Sequence, residues 1–213
     1  MNTLISVILS IVYLGYTPLM FSAYFGYKDA VYMLLDNNAD VHAASRFGGW
    51  TALTMASFSG HRELARLLID KGSDVNRELL MGGSNLILAS SHGHLSVVKL
   101  LIDYGANVNA IDNGFSFFPN DRTDVGTTGL MLAAQNGHKE ILLTLLENGA
   151  EVDRKNKDGA TALMYAVRSR FDEGRVELAA ILITHGADVN SVSVGGFTPL
   201  MIGMSARTYR IHS

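Results

Sequence analysis

The stretch "GWTALTMASFSGHRELARLLIDKGSDVN", residues 49–76, decides the fold. Thr51 stands where a helix N-cap belongs, because its side-chain oxygen can accept a bond from the open N–H groups of a first helical turn. The apolar run behind it stops near Gly60, and a second run carrying the paired aliphatics Leu67 and Leu68 stops at Gly72. A glycine past a helix end takes the left-handed backbone without a Cβ penalty. The tail is short, alternating and turn-rich, which suits a tight hairpin. The stretch therefore reads as helix, turn, helix, hairpin.

The same order recurs along the chain. It appears in "GYTPLMFSAYFGYKDAVYMLLDNNADVH" before it, and after it in "GSNLILASSHGHLSVVKLLIDYGANVN", "GTTGLMLAAQNGHKEILLTLLENGAEVD" and "GATALMYAVRSRFDEGRVELAAILITHGADVN". A sixth copy begins at "GFTPLMIGMSA" and breaks off. The marker leucines are Leu19, Leu53, Leu86, Leu130, Leu163 and Leu200, spaced 34, 33, 44, 33 and 37 residues apart. Against a unit of 33, this leaves an insertion of 11 residues before Leu130 and one of 4 before Leu200. Thr17, Thr51, Thr128, Thr161 and Thr198 are the expected N-caps, with Asn85 in that slot in the third copy. Pro18 and Pro199 follow at the first helical position, where a missing N–H costs nothing. The second helices are expected to stop at Gly72, Gly105 and Gly149.

The pattern T-x-L, G-H, paired leucines and GA-x-V-N resembles the ankyrin repeat over about residues 15–206. The family's T-P-L-H histidine is absent from every copy. Met20, Thr54, Ile87, Met131, Met164 and Met201 stand in its place, so the Thr–His bond of the family is lost. The resemblance implies an all-α fold, an ankyrin-repeat α-solenoid of helix-turn-helix modules with β-hairpin fingers, in five full repeats and a partial sixth. Expected repeats lie near 15–46, 47–79, 80–112, 124–156, 157–193 and 194–213, with a finger insertion at 113–123. A single repeat cannot bury its apolar face, so stacked neighbours supply the core.

Composition narrows the function classes. The chain has 213 residues, 48% hydrophobic and 17% charged, with a formal net charge of −3. Nucleic-acid binders are usually basic, and no lysine- or arginine-rich tract appears here. The absence of cysteine removes disulfides and thiolate metal sites together and fits a cytoplasmic location. Residues 1–14 match no repeat. Leu4 to Leu14 has the length of a signal-peptide core and is too short to span a bilayer, yet no basic residue precedes it. It is expected to pack on the first repeat, with secretion or membrane contact through residues 4–14 as the alternative.

No phosphate loop, dinucleotide fingerprint or nucleophile elbow is present. His61, His94 and His138 each follow a glycine at one repeat position, which marks them as scaffold closing the turn between helices. A hydrolase reading would need His92, His94 and Asp121, without recurring ligand spacing to support it. The expectations are therefore no enzyme, no cofactor and no metal.

What remains is surface. In the family the resemblance points to, hairpin tips and outward residues of the first helices grip partners on a concave face. By position these are Tyr16, Tyr24 and Phe25, then Phe47, Trp50 and Phe58, then Met81, Ser84, Ser91 and His92. Thr127, Gln135 and Asn136 follow, then Lys157, Arg168 and Ser169. The series runs from aromatic to polar to basic. Aromatic residues and arginine are enriched at interaction hot spots. The insertion "GFSFFPNDRTD", residues 114–124, adds Phe115, Phe117, Phe118 and Arg122 at a projecting finger. Insertions in repeat proteins map to loops on one face, often the binding face. The shorter insertion, around "RSRFDEGR", is expected to lengthen the loop or first helix of the fifth repeat. It would give a basic tip of Arg168, Arg170 and Arg175 beside Phe171. The sequence thus predicts a monomeric, non-catalytic module that binds another protein. The alternative is a recognition or inhibitory fragment of a larger multidomain protein or secreted effector.

Overall fold

A computed structural model describes residues 14–80, 82–113, 125–169 and 172–208. The insertion residues 114–124 and the apolar start up to residue 13 lie outside these. Eleven helices are present among the described residues. Ten of them follow one another in pairs: α1 (Pro18–Phe25) and α2 (Lys28–Asp36), α3 (Ala52–Ser59) and α4 (Arg62–Asp70), α5 (Asn85–Ser91) and α6 (Leu95–Asp103), α7 (Gly129–Gln135) and α8 (Lys139–Glu147), α9 (Ala162–Arg168) and α10 (Asp172–Thr184). Helix α11 (Pro199–Thr208) follows. The chain divides into two compact units, one up to Ala106 and one from Asn107 onward.

Within each unit, first helices pack on first helices and second helices on second helices. In the N-terminal unit α3 lies against both α1 and α5, and α4 against α6; in the C-terminal unit α9 lies against both α7 and α11, and α10 against α8. The two helix types bury differently. Helix α3 is enclosed over its whole first part, Ala52 to Ser57, whereas α4 buries one stripe of Leu64, Ala65, Leu68 and Ile69. That stripe has the helical period of an element covered on one side only. Fully enclosed leucines such as Leu53, Leu68, Leu101 and Leu145 each contribute about 1.5–3 kcal/mol.

The caps show where the sequence reading was one residue off. Thr17, Thr51 and Thr128 accept the N–H of Met20, Thr54 and Met131 at 3.2, 3.2 and 3.3 Å. In the third repeat the cap is Ser84, which accepts from Ile87 at 3.3 Å, and not Asn85. Asn85 is the first helical residue, fully buried, and its amide donates to the Val75 carbonyl at 3.2 Å. A serine oxygen caps as well as an asparagine one, so residue type alone could not choose between adjacent positions. Thr161 holds the fifth cap position, but its buried hydroxyl makes no hydrogen bond. The lost family histidine does not open the helix starts. Met20 Sδ accepts the Thr17 N–H at 3.5 Å, and the hydroxyls of Thr51 and Thr54 pair at 3.1 Å.

Second helices close on Gly72, Gly105, Gly149 and Gly186 in the left-handed region, and on Asn38 at φ 61 in the first repeat. The tails that follow are Asx turns, in which Asp40, Asp74, Asn107 and Asp188 accept the N–H two residues on. The next polar residue reaches to the adjacent repeat: the Asn76 amide donates to the Gly105 carbonyl, and the Asn109 amide to that of Gly149.

Among the described residues the short fingers are closed by tight turns with two backbone bonds each rather than by strands. Leu79, Asn156 and Ser193 each donate to a carbonyl four residues on, Gly83, Ala160 and Phe197. Ser45 donates instead to Trp50, five residues on, which accounts for the 34-residue spacing after Leu19. Neighbouring fingers are tied by Arg46 to Leu14 and Leu80 to Gly48 in one unit, and by Lys157 to Val125 and Val194 to Asp158 in the other. At the 11-residue insertion the flanks meet, with Asp112 N–H donating to the Thr127 carbonyl at 2.8 Å. Helices α7 and α8 keep the lengths of α5 and α6, 7 and 9 residues.

The 4-residue insertion does not lengthen a loop or the first helix. It extends α10, the second helix, to 13 residues against 9 in α8. Leu178 and Leu182 are buried at the same distances before Gly186 as Ile141 and Leu145 are before Gly149. The added turn is therefore at the N-terminal end of α10.

Candidate partner-binding surface

The scaffold histidines have a specific task. His61 Nε2 meets the Tyr24 carbonyl at 3.0 Å, and His94 Nε2 meets the Phe58 carbonyl at 2.9 Å. Each imidazole thus braces the end of the preceding repeat's first helix rather than its own turn. The glycine there is in the left-handed region, and it also has no room for a side chain. A Cβ on Gly26 would lie 2.6 Å from His61, and one on Gly60 the same distance from His94.

This bracing fixes where the neighbouring aromatic rings stand. Tyr24 and Phe58 occupy one slot in successive first helices and stack at 6.1 Å, with 24° between their planes. Phe58 also meets Trp50 of the second finger at 5.4 Å and His92 at 4.3 Å. In the other direction Tyr24 touches Phe25 at 5.0 Å, and Phe25 stacks on Tyr27 at 5.6 Å. Six rings, Tyr27, Phe25, Tyr24, Phe58, Trp50 and His92, therefore form one continuous ridge on the N-terminal unit. Phe25 is 54% and Tyr27 61% exposed, while Trp50 and Phe58 are half-buried. Tyr16 turns aside to meet Phe21 at 5.7 Å, and Phe47 is exposed in the second finger.

Sequence reasoning missed Tyr27. It stands where His61 and His94 stand in the next repeats, and the exchange of G-H for G-Y in "FGYKDA" was the available signal. Ser84, Thr127 and Ser169 were expected on the surface and are buried. Ser84 is a cap. Thr127 lies 3.4 Å from the Tyr165 hydroxyl, which itself accepts from the Asn156 amide at 3.2 Å. Ser169 donates its hydroxyl to the Gln135 carbonyl at 2.8 Å. Gln135 holds in α7 the slot that Phe58 holds in α3, seven residues after the cap, so Ser169 does for the fifth repeat what the histidines do earlier.

In the C-terminal unit Gln135 and Asn136 are half-buried, and Lys157 is exposed. The Arg168 guanidinium lies 5.1 Å from the centre of the Tyr165 ring. Both line an open groove of about 360 Å³ with Met164, Asp158, Phe197 and Ile202. Phe115, Phe117, Phe118, Arg122, Met81, Arg170 and Phe171 lie outside the described residues.

No group of three or more histidines and carboxylates among the described residues is arranged to hold a metal. His92 Nδ1 and His94 Nε2 each face a backbone carbonyl, that of Leu88 at 2.9 Å and that of Phe58. No helix among the described residues is long and apolar enough to cross a membrane.

The family model described as ankyrin repeats (3 copies) matches residues 19–112 and again residues 86–193. The chain belongs to the ankyrin-repeat family. Ankyrin repeats are generally modules for binding other proteins and generally non-catalytic. Within the N-terminal unit the histidine-to-carbonyl braces join successive ankyrin repeats, each beside a left-handed glycine. A search of the curated proteins found no match.

Proposed function

We propose that this ankyrin-repeat protein is a non-catalytic module that grips a partner protein through its hairpin fingers and the ends of its first helices. The aromatic ridge of the N-terminal unit is the principal contact. One observation carries this reading: six rings lie in an unbroken chain of contacts, and two of them, Phe25 and Tyr27, are more than half exposed. Exposed apolar side chains scattered singly need no explanation, but a contiguous patch marks an interaction site. Tyrosine and tryptophan supply large contact area for few rotatable bonds, which is why they dominate hot spots. Phe47, Gln135, Asn136, Lys157 and Arg168 are further contacts, and Phe115, Phe117, Phe118 and Arg122 of the inserted finger set specificity.

Affinity capture from native extract tests this. The intact chain should retain a partner that is lost from a variant with Phe25→Ser and Tyr27→Ser, and from one lacking residues 113–123. Unchanged capture by the double variant would remove the ridge from the proposal.

A further inference from the structure

Given the docking role of the ridge, on which this step rests, charge complementarity narrows the partner. Five of the six rings, Tyr24, Phe25, Tyr27, Trp50 and Phe58, carry no charge, and Nδ1 of the sixth, His92, faces the Leu88 carbonyl at 2.9 Å. Lys28, the next residue along, is paired with Glu63 at 3.3 Å. A basic or acidic segment finds no counter-charge among these rings. Their polar atoms are free donors: among the described residues the Trp50 indole N–H and the Tyr24 and Tyr27 hydroxyls make no hydrogen bond. The surface therefore suits a neutral segment rich in acceptors and flat apolar groups.

We infer that the ridge takes a proline-rich segment in the polyproline II conformation. Such a segment has no internal hydrogen bonds, rises about 3.1 Å per residue and keeps its carbonyls outward. Each proline lacks an N–H, so the segment asks for donors and offers ring faces. Centroid steps of 5.0 to 6.1 Å carry the ridge from Trp50 through Phe58, Tyr24 and Phe25 to Tyr27. Tyr24 and Phe25 stand at 90°, and Trp50 and Phe58 at 53°, which makes two corners where a pyrrolidine ring meets two aromatic rings at once. The indole N–H and the two hydroxyls then reach carbonyls of the segment. Aromatic-lined surfaces bind this helix well because it is ordered before it docks.

Trp50 is the chain's one tryptophan, so its fluorescence reports on this ridge. The full chain is titrated with an oligoproline peptide and with glycine–serine, oligolysine and oligoglutamate peptides of equal length. Oligoproline alone should give a saturable change. Phe25→Ala and Tyr27→Ala should weaken it at least about tenfold, with circular dichroism unchanged. A response to oligolysine or oligoglutamate in place of oligoproline overturns the inference, as does no response to any peptide. Oligoproline binding that both variants leave intact also overturns it. If oligoproline fails while Phe25→Ala still loses the partner from native extract, the docking role stands and the proline chemistry falls. If capture is also unaffected, both fall.

Discussion

The imidazole of His94 covers the α-carbon of Gly60, so that a β-carbon there would lie 2.6 Å from Nδ1. Gly60 also sits at φ 79, where an L side chain costs about 1–2 kcal/mol. To make room, His94 must move and lose its bond to the Phe58 carbonyl, a net loss of about 0.5–1.5 kcal/mol. Gly60→Ala is therefore expected to cost about 2–3 kcal/mol in urea unfolding. In a His94→Ala background only the backbone part remains, so the double variant should be less destabilised than the sum of the singles by about 1 kcal/mol. Strict additivity would show that the contact does not restrict the site.

Ser169 replaces the histidine brace in the fifth repeat, and its removal should be felt likewise. Ser169→Ala leaves the carbonyl of half-buried Gln135 without that donor, at a cost of about 1–2 kcal/mol. Lys157→Ala, on the exposed finger of the same repeat, should stay within about 0.5 kcal/mol. Equal effects from the two in a denaturant series would contradict a bracing role for Ser169.

The helix pairs were legible because their signals are local and repeated. A cap, an apolar run and a closing glycine recur at fixed offsets, so the reading was over-determined by five copies. What the sequence hid were choices between chemically equal neighbours and contacts made across repeats. Ser84 and Asn85 can both cap, and only the backbone direction decides. One residue of error there also put Ser84 on the outer face. The 4-residue insertion was found but misassigned, because an extra helical turn and a longer loop have the same length in sequence. The aromatic ridge was visible in its members but not its contacts: Tyr24, Phe25, Trp50, Phe58 and His92 were named by slot. Their mutual stacking, and the part of Tyr27, depended on how two first helices lie side by side.

Two exposed pairs between second helices should leave opposite marks on the pH profile. Lys28, through a hydrogen bond first and its charge second, holds the Glu63 carboxyl below its ordinary 4.5. This pairing stabilises the fold above that value and is lost as pH falls through the lowered folded one. The Tyr104 hydroxyl donates to Asp70 at 2.7 Å, and that bond, followed by desolvation, raises it above its ordinary 10.0. Its contribution is present below 10.0 and is lost as pH rises through the raised folded value. Denaturation midpoints of Glu63→Gln should converge on those of the parent at acid pH, and those of Tyr104→Phe at alkaline pH. Both effects should be small and shrink with salt. Differences independent of pH would show that neither pair forms.

Separating recognition from packing on the ridge needs residues that differ in burial. Phe25 and Tyr27 are mostly exposed, so Phe25→Ala and Tyr27→Ala should change stability by no more than about 0.5 kcal/mol. Phe58 is half-buried among Tyr24, Trp50 and His92 and should cost more, about 1–3 kcal/mol on truncation. For partner capture the order changes: all three should weaken binding by about 2 kcal/mol or more. The inserted finger supplies the contrast. Replacing Phe115, Phe117 and Phe118 by Ser should abolish capture while leaving the helical circular dichroism and the melting temperature nearly unchanged. A sharp fall in melting temperature would instead make those phenylalanines part of the core. Loss of binding only where stability is also lost, as in Phe58→Ala alone, would reduce the ridge to a packing feature.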